Sequence, residues 1–382
     1  MIFRILEDQF AQKIRDSKDA DRRFMQLALA LGRRGQGCTW PNPAVGAVIV
    51  KDGVIVGRGW TQAGGRPHAE VEALRRAGEA ARGATLYVTL EPCSHFGKSP
   101  PCADAVIAAG ITRVVAAIED PNPDVAGQGH ARLRAAGITV DVGLCAAEAA
   151  FDHAGHFRRI RDKRPHVILK LAISPDGKIG AEGGKPLAIT GEAVRDRVHL
   201  LRASSDAILV GIGTVLADDP QLNCRLPGMA ARSPVRVVLD QSLRIPAASQ
   251  LARTARETPL WVIASELAEA AAATRLGAAG AQILRMPPNG ASRLDLAATL
   301  RALADKGITR LMVEGGSRVA ASFVSADLVD EIWLFRGAEE VGAGGVDALD
   351  ALPLSKITQS QAYKVHASET FGPDTLTVYE RA

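Results

Sequence analysis

The sequence has few aromatic residues, few cysteines and no long apolar run. Aromatic side chains make up 4% of the 382 residues, so the cores must be built mainly from aliphatic residues and alanine. Five cysteines are too few, and odd in number, for a disulfide scaffold in a chain this long. No apolar stretch approaches the roughly 20 residues that span a bilayer, and the first residues lack the apolar segment of a signal peptide. The expected protein is cytoplasmic and makes no membrane contact.

The charge balance argues against nucleic acid as a partner. Lysine and arginine exceed aspartate and glutamate by only four, and this excess is too small to predict a polyanion-binding surface. Charged residues at 23% and hydrophobic residues at 47% are ordinary globular values, so disorder is excluded. The expected class is a globular cytosolic protein with a few special thiols. The sequence leaves its oligomeric state open, a homo-oligomer included.

Strand patterns alternate with helix patterns along most of the chain, which predicts two α/β domains. The polar residues 1–19 read as an N-terminal extension, and residues 20–150 as a first domain. Residues 151–164 have little strand pattern and end in a charged run, so we interpret them as a linker. Residues 165–382 form the predicted second domain.

One histidine and two cysteines in the first domain predict a zinc site. His68 opens a predicted helix, Cys93 follows a strand, and Cys102 comes nine residues later. Three such donors suit a catalytic zinc ion, which keeps its fourth position for water and lowers the pKa of that water towards about 7. Glu70, two residues after His68, could then carry a proton from the water to a departing amine.

Other interpretations of these residues remain. A closed structural zinc site would need a fourth donor, which His95 could supply. The other cysteines, Cys38, Cys145 and Cys224, are expected to be small buried residues without a metal.

Glycine-rich segments of the second domain predict an anion site. Gly211 and Gly213 follow a strand and allow close backbone approach. Val313-Glu-Gly-Gly-Ser317 joins a strand to a helix, so backbone N–H groups at the helix start would face a phosphate. The pattern is not Gly-x-Gly-x-x-Gly, and a Rossmann fold is therefore not predicted.

The first-domain motifs resemble those of zinc-dependent deaminases. Eight residues separate Cys93 from Cys102, where nucleic-acid deaminases mostly have two. This spacing, Pro41-Asn-Pro-Ala-Val-Gly46 and Glu119-Asp-Pro-Asn-Pro123 are similar to the bifunctional deaminase–reductase family of riboflavin biosynthesis. The resemblance implies one zinc ion per chain held by His68, Cys93 and Cys102, with Glu70 as proton carrier and Asn42 as a substrate contact. The implied reaction is hydrolytic deamination of 2,5-diamino-6-ribosylamino-4(3H)-pyrimidinone 5′-phosphate by zinc-bound hydroxide.

The second half resembles the reductase domain of the same family, which uses NADPH to reduce the ribosyl group of the deaminated product to a ribityl chain. The implied folds are a cytidine-deaminase-like three-layer α/β domain followed by a dihydrofolate-reductase-like α/β domain. The resemblance implies these NADPH-site residues: Ala172, Thr214, Asp218, Ser242, Gly316, Ser317, Arg318, Val319, Ala320, Ala321 and Ser322. The implied substrate contacts are Arg202, Leu222, Arg225 and Glu314.

Physical chemistry agrees with these roles. Arg202 and Arg225 can grip a phosphate through their guanidinium forks, and Glu314 can accept hydrogen bonds from sugar hydroxyls. Lys170 and Asp176 are both candidates for the proton donor in reduction, and Arg244 is a candidate for the 2′-phosphate of NADPH.

The sequence departs from the family at one segment. Where the family commonly has Ser-x-Trp-Ile-Thr, this chain has Pro186-Leu-Ala-Ile-Thr190, so Pro186 and Ala188 replace two cofactor contacts. A binding protein without reductase activity is therefore an alternative for the second domain. A nucleic-acid deaminase is the alternative for the first.

Overall fold

The computed structural model describes residues 19–97, 99–123, 125–181, 187–287 and 294–382. The chain divides into two compact units, Met1–Asp162 and Lys163–Ala382. All but one residue of the predicted N-terminal extension lies outside the described residues. The segment predicted as a linker belongs to helices of the first unit as far as Asp162. None of the helices in the described ranges has the length and apolar character needed to cross a membrane.

The first unit alternates strands and helices. Its described strands are β1 (Gly46–Lys51), β2 (Val54–Trp60), β3 (Thr85–Val88), β4 (Arg113–Ala116) and β5 (Thr139–Val142). Its described helices are α1 (residues 19–33), α2 (Ala69–Ala77), α3 (Cys102–Ala108), α4 (Gln128–Ala135), α5 (Ala146–Asp152) and α6 (Ala154–Asp162). The strands form a sheet in the order β2-β1-β3-β4-β5, in which β3, β4 and β5 run parallel.

Successive strand residues point to opposite faces of this sheet, and helices cover both faces. One face packs against α2, α3 and α4, mainly through small residues such as Ala73 and Ala103. The other face packs against α1 and α5 through residues such as Met25 and Ala149. The unit is thus three layers deep, and alanine supplies much of the helix surface, as the low aromatic content predicts.

Two glycines let helices lie directly on strands. A Cβ atom on Gly59 of β2 would come within 2.4 Å of the Ala69 carbonyl oxygen at the start of α2. A Cβ atom on Gly46 of β1 would lie 1.9 Å from the carbonyl oxygen of Ala28 in α1. The close approach at Gly59 fixes the first turn of α2, which carries the predicted proton carrier Glu70 and directly follows the predicted zinc ligand His68.

The second unit is larger and its sheet is mixed. Its described strands are β6 (His166–Ile173), β7 (Lys178–Gly180), β8 (Ala207–Gly211), β9 (Val235–Leu239), β10 (Leu260–Ser265), β11 (Gln282–Met286), β12 (Arg310–Val313), β13 (Glu331–Arg336), β14 (Val346–Asp347), β15 (Tyr363–Phe371) and β16 (Asp374–Arg381). Its described helices are α7 (Glu192–Ala203), α8 (Ile212–Asp218), α9 (Gln250–Arg253), α10 (Ala270–Ala279), α11 (Leu296–Asp305), α12 (Ser317–Ser325) and α13 (Ser355–Thr358).

In the described part of this unit, nine strands form the main sheet in the order β11-β10-β9-β8-β12-β6-β13-β16-β15. The strands from β11 to β13 run parallel, whereas β16 is antiparallel to both β13 and β15. Strands β7 and β14 pair separately. Because β8 and β12 are neighbours and parallel, the loops that follow them leave the same edge of the sheet. This edge carries the glycine-rich segments identified in the sequence.

Candidate active sites

The three predicted zinc ligands come together in the first unit. His68 immediately precedes α2, Cys93 lies in the loop after β3, and Cys102 is the first residue of α3. The Nδ1 atom of His68 lies 3.2 Å from the sulfur of Cys102 and 3.7 Å from that of Cys93. Their donor atoms all lie within 4.8 Å of one another.

These distances suit a tetrahedral zinc site. Donors that bind zinc at 2.0–2.3 Å are about 3.5 Å apart at tetrahedral angles. The backbone N–H of Cys102 also donates to the Cys93 sulfur at 3.3 Å, which favours the thiolate that binds metal. The donor set of one nitrogen and two sulfurs therefore fits zinc.

Hydrogen bonding between the two sulfurs sets their acidities. The bond from Cys102 lowers the pKa of Cys93 to about 4. The same bond, together with burial, raises the pKa of Cys102. The pair therefore loses one proton readily, from Cys93, and keeps the other on Cys102. Zinc binding would release this second proton, because the metal requires both cysteines as thiolates.

Glu70 lies beside these donors in the first turn of α2 and is buried. Burial raises the pKa of this carboxyl to about 7, although the charge of His68 opposes the rise. A carboxyl group with this pKa exchanges a proton readily near neutral pH.

Of two other residues predicted for this site, Asn42 lies beside the zinc ligands and His95 does not belong to their cluster. Asn42 lies next to the ligands: its Nδ2 atom is 3.4 Å from Nε2 of His68 and donates to the carbonyl oxygen of Gly65 at 2.8 Å. His95 is exposed, and the donor cluster found among the described residues is made of His68, Cys93 and Cys102 without it. The closed structural zinc site is therefore not supported.

The remaining cysteines lie outside this cluster. Cys145 and Cys224 are buried, as predicted, whereas Cys38 is half-buried and donates to the carbonyl oxygen of Gly35.

The second unit has a cavity of about 600 Å³ at the edge where β8 and β12 end. Six of the predicted cofactor residues line it: Thr214, Asp218, Gly316, Ser317, Arg318 and Val319. Arg244 lines it too, and so do Ile179, Gly180 and Val346, which the sequence did not single out. The last three belong to the short β7–β14 pair, whose contact across 165 residues has no local sequence signal.

The turn between β12 and α12 is built as a cradle. Gly316 has φ +79°, a conformation that L side chains rarely adopt. A Cβ atom on Gly315 would lie 3.2 Å from Oγ1 of Thr214, so a side chain there would crowd the cavity wall. The free N–H groups at the start of α12 adjoin this turn, and such groups bind phosphate. The cavity therefore fits a dinucleotide phosphate.

The other predicted cofactor residues are not among those that line this cavity. Among the residues described, Ala172 and Ala320 pack into the core, Ser242 is exposed, and Ala321 is half-buried outside this cavity's lining. Ser322 lines a second cavity of about 590 Å³ between α11 and α12.

Arg202 and Glu314 form a tight ion pair next to Lys170. Two guanidinium nitrogens of Arg202 donate to the Glu314 carboxylate at 2.8 and 2.9 Å, and Nζ of Lys170 lies 3.4 Å from it. Burial alone would raise the pKa of Glu314, but the charges of Arg202 and Lys170 lower it to about 2. The fork that the sequence analysis assigned to phosphate thus holds Glu314, a contact between residues 112 positions apart.

The other predicted substrate residues surround this pair. Arg225 is exposed, and its guanidinium group donates to Oδ1 of Asn223 at 3.1 Å, while that of Arg202 donates to the Asn223 carbonyl oxygen at 3.1 Å, so both guanidinium groups contact the same residue. His199, which the sequence analysis did not name, accepts from the Arg225 backbone N–H at 3.3 Å. Leu222 is buried with φ +54°. Glu314 is taken up by Arg202, and within the described part of the chain Arg225 forms no ion pair, so its positive charge favours an anion there.

Asp176 holds a loop in place. Its carboxylate accepts from the hydroxyl of Ser174 at 2.5 Å and from the backbone N–H groups of Val341 and Gly342 at 3.1 and 2.9 Å. The hydrogen bond from Ser174 has the largest effect, and together these bonds lower the pKa of Asp176 to about 2. An ionised carboxylate with these partners is a poor proton donor. Of the two residues that depart from the family pattern, Ala188 is exposed, and Pro186 lies outside the described residues.

Comparison with known proteins agrees with this division of chemistry. A family model described as the cytidine and deoxycytidylate deaminase zinc-binding region matches residues 18–118, and one described as the RibD C-terminal domain matches residues 165–377. The chain is thus a bifunctional enzyme, a zinc-dependent deaminase followed by an NADPH-dependent reductase.

Relatives cover nearly the whole chain. It is 41% identical to riboflavin biosynthesis protein RibD of Aquifex aeolicus and 40% identical to that of Escherichia coli, over 95% and 93% of this chain and 99% and 97% of the relatives. A solved structure of Acinetobacter baumannii RibD superposes with a TM-score of 0.83 at 35% identity, covering 96% of this chain and 99% of that one. The chain belongs to the RibD family of riboflavin biosynthesis proteins.

A further solved structure, from Thermotoga maritima, is a diaminohydroxyphosphoribosylaminopyrimidine deaminase/5-amino-6-(5-phosphoribosylamino)uracil reductase. It superposes with a TM-score of 0.84 at 35% identity and covers 96% of this chain and all of that one.

Proposed function

We propose that the first unit deaminates diaminohydroxyphosphoribosylaminopyrimidine and the second reduces 5-amino-6-(5-phosphoribosylamino)uracil, as the activities of the Thermotoga maritima protein are named. The observation that carries the proposal is the convergence of His68, Cys93 and Cys102, with Glu70 buried beside them, in one chain with the glycine-lined cavity. The occupant of the first site is then a small pyrimidine nucleotide, and the enzyme acts in the cytoplasm, where free cysteines persist.

In the deaminase unit, His68, Cys93 and Cys102 hold zinc, which when bound makes water a nucleophile at neutral pH. Glu70 takes a proton from the attacking water and delivers it to the amine nitrogen, which leaves as ammonia. Burial keeps bulk solvent away from this carboxylate, so the proton stays within the site. Asn42, next to His68, is a donor within reach of the pyrimidine edge.

In the reductase unit, the turn at Gly316 and the start of α12 would hold the phosphates of NADPH, which when bound would be the hydride source for the sugar C1′. Arg225 binds the substrate phosphate, since its guanidinium group is exposed beside the positive charge of Arg202. Arg202 orients Glu314 towards the sugar hydroxyls. Of the two candidates for the proton donor, Lys170 fits better than Asp176, because Asp176 is held as an ionised loop anchor.

A direct test measures zinc content together with ammonia release from the diaminopyrimidine nucleotide, followed by NADPH oxidation with the deaminated product. We expect one zinc per chain and both activities. Ammonia release without NADPH oxidation would leave the second unit a binding domain. Deamination of single-stranded nucleic acid but not of the nucleotide would overturn the proposed substrate.

A further inference from the structure

Glu91 is a buried carboxylate that the deaminase chemistry does not use. It stands directly before Pro92 and Cys93, and its side chain is 0% exposed. A carboxylate removed from water is strongly destabilising unless hydrogen bonds or opposite charges compensate it. The groups that hydrogen-bond to the Glu91 carboxylate therefore indicate the role of this residue.

Four backbone N–H groups from one downstream segment surround this carboxylate. Oε2 accepts from Asp120 at 3.2 Å and Gly127 at 3.0 Å, and Oε1 accepts from Gly129 at 2.8 Å and His130 at 3.2 Å. Hydrogen bonds to an ionised acceptor are about twice as strong as those between neutral groups. Glu91 thus binds both ends of the segment 120–130.

The segment is shaped to reach Glu91. Gly129 and His130 lie in the first turn of α4, whose N–H groups have no partner within the helix. Gly127 has φ +73°, and a Cβ atom on Gly129 would lie 2.0 Å from the carbonyl oxygen of Pro92. The backbone at Gly129 therefore touches the residue between Glu91 and the zinc ligand Cys93.

The same contact borders the metal site. Strands β3 and β4 are parallel neighbours, so the zinc loop after β3 and the segment after β4 leave the same edge of the sheet, where α/β proteins bind ligands. The backbone N–H of Glu91 also donates to the carbonyl oxygen of Ile118 at 3.0 Å. His130 and Glu119 approach Glu91, but both Glu91 oxygens are engaged by N–H groups, so we assign no second metal site to this cluster.

We propose that Glu91 is a positioning residue that fixes Asp120 and Gly127–His130 against Pro92 and Cys93, and that these residues form part of one wall of the pyrimidine site. The proposal rests on the deaminase function proposed above. It accounts for the glycines at positions 127 and 129, because Gly127 provides the turn and Gly129 the close approach.

The test is Glu91→Gln. Glutamine keeps one carbonyl oxygen but directs an NH₂ group at two N–H donors. We expect amide hydrogen exchange in residues 126–131 to accelerate about tenfold or more, since each bond to a charged acceptor contributes about that much. The KM for the diaminopyrimidine nucleotide should rise by a similar factor, with a smaller change in kcat, one zinc per chain retained and NADPH oxidation unchanged.

Two further variants keep the proposal falsifiable. Glu72→Gln is the matched control, because Glu72 is also buried in this unit but pairs with Arg75 and Arg76 of its own helix. It should leave exchange in residues 126–131 and the KM unchanged. Gly129→Ala leaves the carboxylate intact but places a methyl group against the Pro92 carbonyl, and it should raise the KM as Glu91→Gln does. It also decides the matter if Glu91→Gln fails to fold.

Unchanged exchange in Glu91→Gln would overturn the anchoring role, whether or not the nucleotide is a substrate. Accelerated exchange with a wild-type KM in both variants would overturn the placement of the segment at the pyrimidine site. An inactive wild-type enzyme would contradict the proposed function, while the exchange measurement would still report on Glu91.

Discussion

Replacing Glu314 with glutamine removes the negative charge from a buried cluster that contains two cations. The side chains of Arg202, Lys170 and Glu314 are 12%, 15% and 11% exposed. The interactions lower the pKa of Glu314 from 4.5 to about 2. Since a tenfold change in proton affinity corresponds to about 1.4 kcal/mol, this fall is worth about 3 kcal/mol. Loss of one partner from a buried ion pair costs a similar amount, about 3–5 kcal/mol.

The acid dependence of this effect has a definite sign. The folded protein lowers the pKa of Glu314, so the stabilisation is complete above its unfolded value near 4.5 and disappears as the pH falls towards 2. Glutamine does not titrate. The difference in free energy of unfolding between wild type and Glu314→Gln should therefore be about 3 kcal/mol at neutral pH and shrink between pH 4.5 and 2.

Hydrogen exchange of the β8 and β12 amides in increasing denaturant measures this difference within the second unit alone. Glu369→Gln is the control, because its ion pair with Arg197 is partly exposed, at 40% and 29%, and such pairs contribute less than about 1 kcal/mol. If Glu314→Gln destabilises no more than this control, or equally at all pH values, the ion-pair reasoning is wrong.

Four more substitutions test the two sites. Glu70→Gln should slow ammonia release by about 10²- to 10⁴-fold while zinc content and NADPH oxidation stay normal; normal ammonia release would remove Glu70 from the mechanism. Cys93→Ser should lower zinc below one per chain by metal analysis, whereas Cys145→Ser, outside the donor cluster, should not. Gly316→Ala should raise the KM for NADPH about tenfold, because a side chain at φ +79° is strained; an unchanged KM would separate this turn from the cofactor. Arg202→Ala should raise the KM for the deaminated pyrimidine, and an unchanged value would leave Arg202 as a partner of Glu314 only.

The sequence predicts the zinc donors well, because motif residues lie at the starts of elements whose positions follow from local patterns. His68 and Cys102 each stand at the beginning of a helix, and the close approach at Gly59 holds the first of these helices in place. The Ala172 and Ser242 assignments rest on resemblance alone, and neither residue has a local pattern that places it at the cavity.

Side-chain contacts between residues far apart in the chain cannot be predicted from such local patterns. The residues next to Arg202 in the sequence do not indicate that its Nε atom will donate to the Glu314 carboxylate at 2.8 Å. Nothing next to Glu91 in the sequence indicates its four N–H partners, which only the fold shows. A signal was nevertheless present in the paired glycines Gly127 and Gly129, which mark a backbone that must pass close to another segment.

The strand order of the second unit has a consequence for biosynthesis. Strand β6, the first of this unit to be made, lies between β12 and β13, so its neighbours leave the ribosome more than 130 residues later. The last strand made, β16, then joins β13. The deaminase unit can therefore complete its sheet during translation, whereas the reductase sheet closes only when nearly all of the nascent chain has emerged. Until then, Val167, Ile168 and Leu169 of β6, which are fully buried in the folded unit, lack the strands that pair with β6.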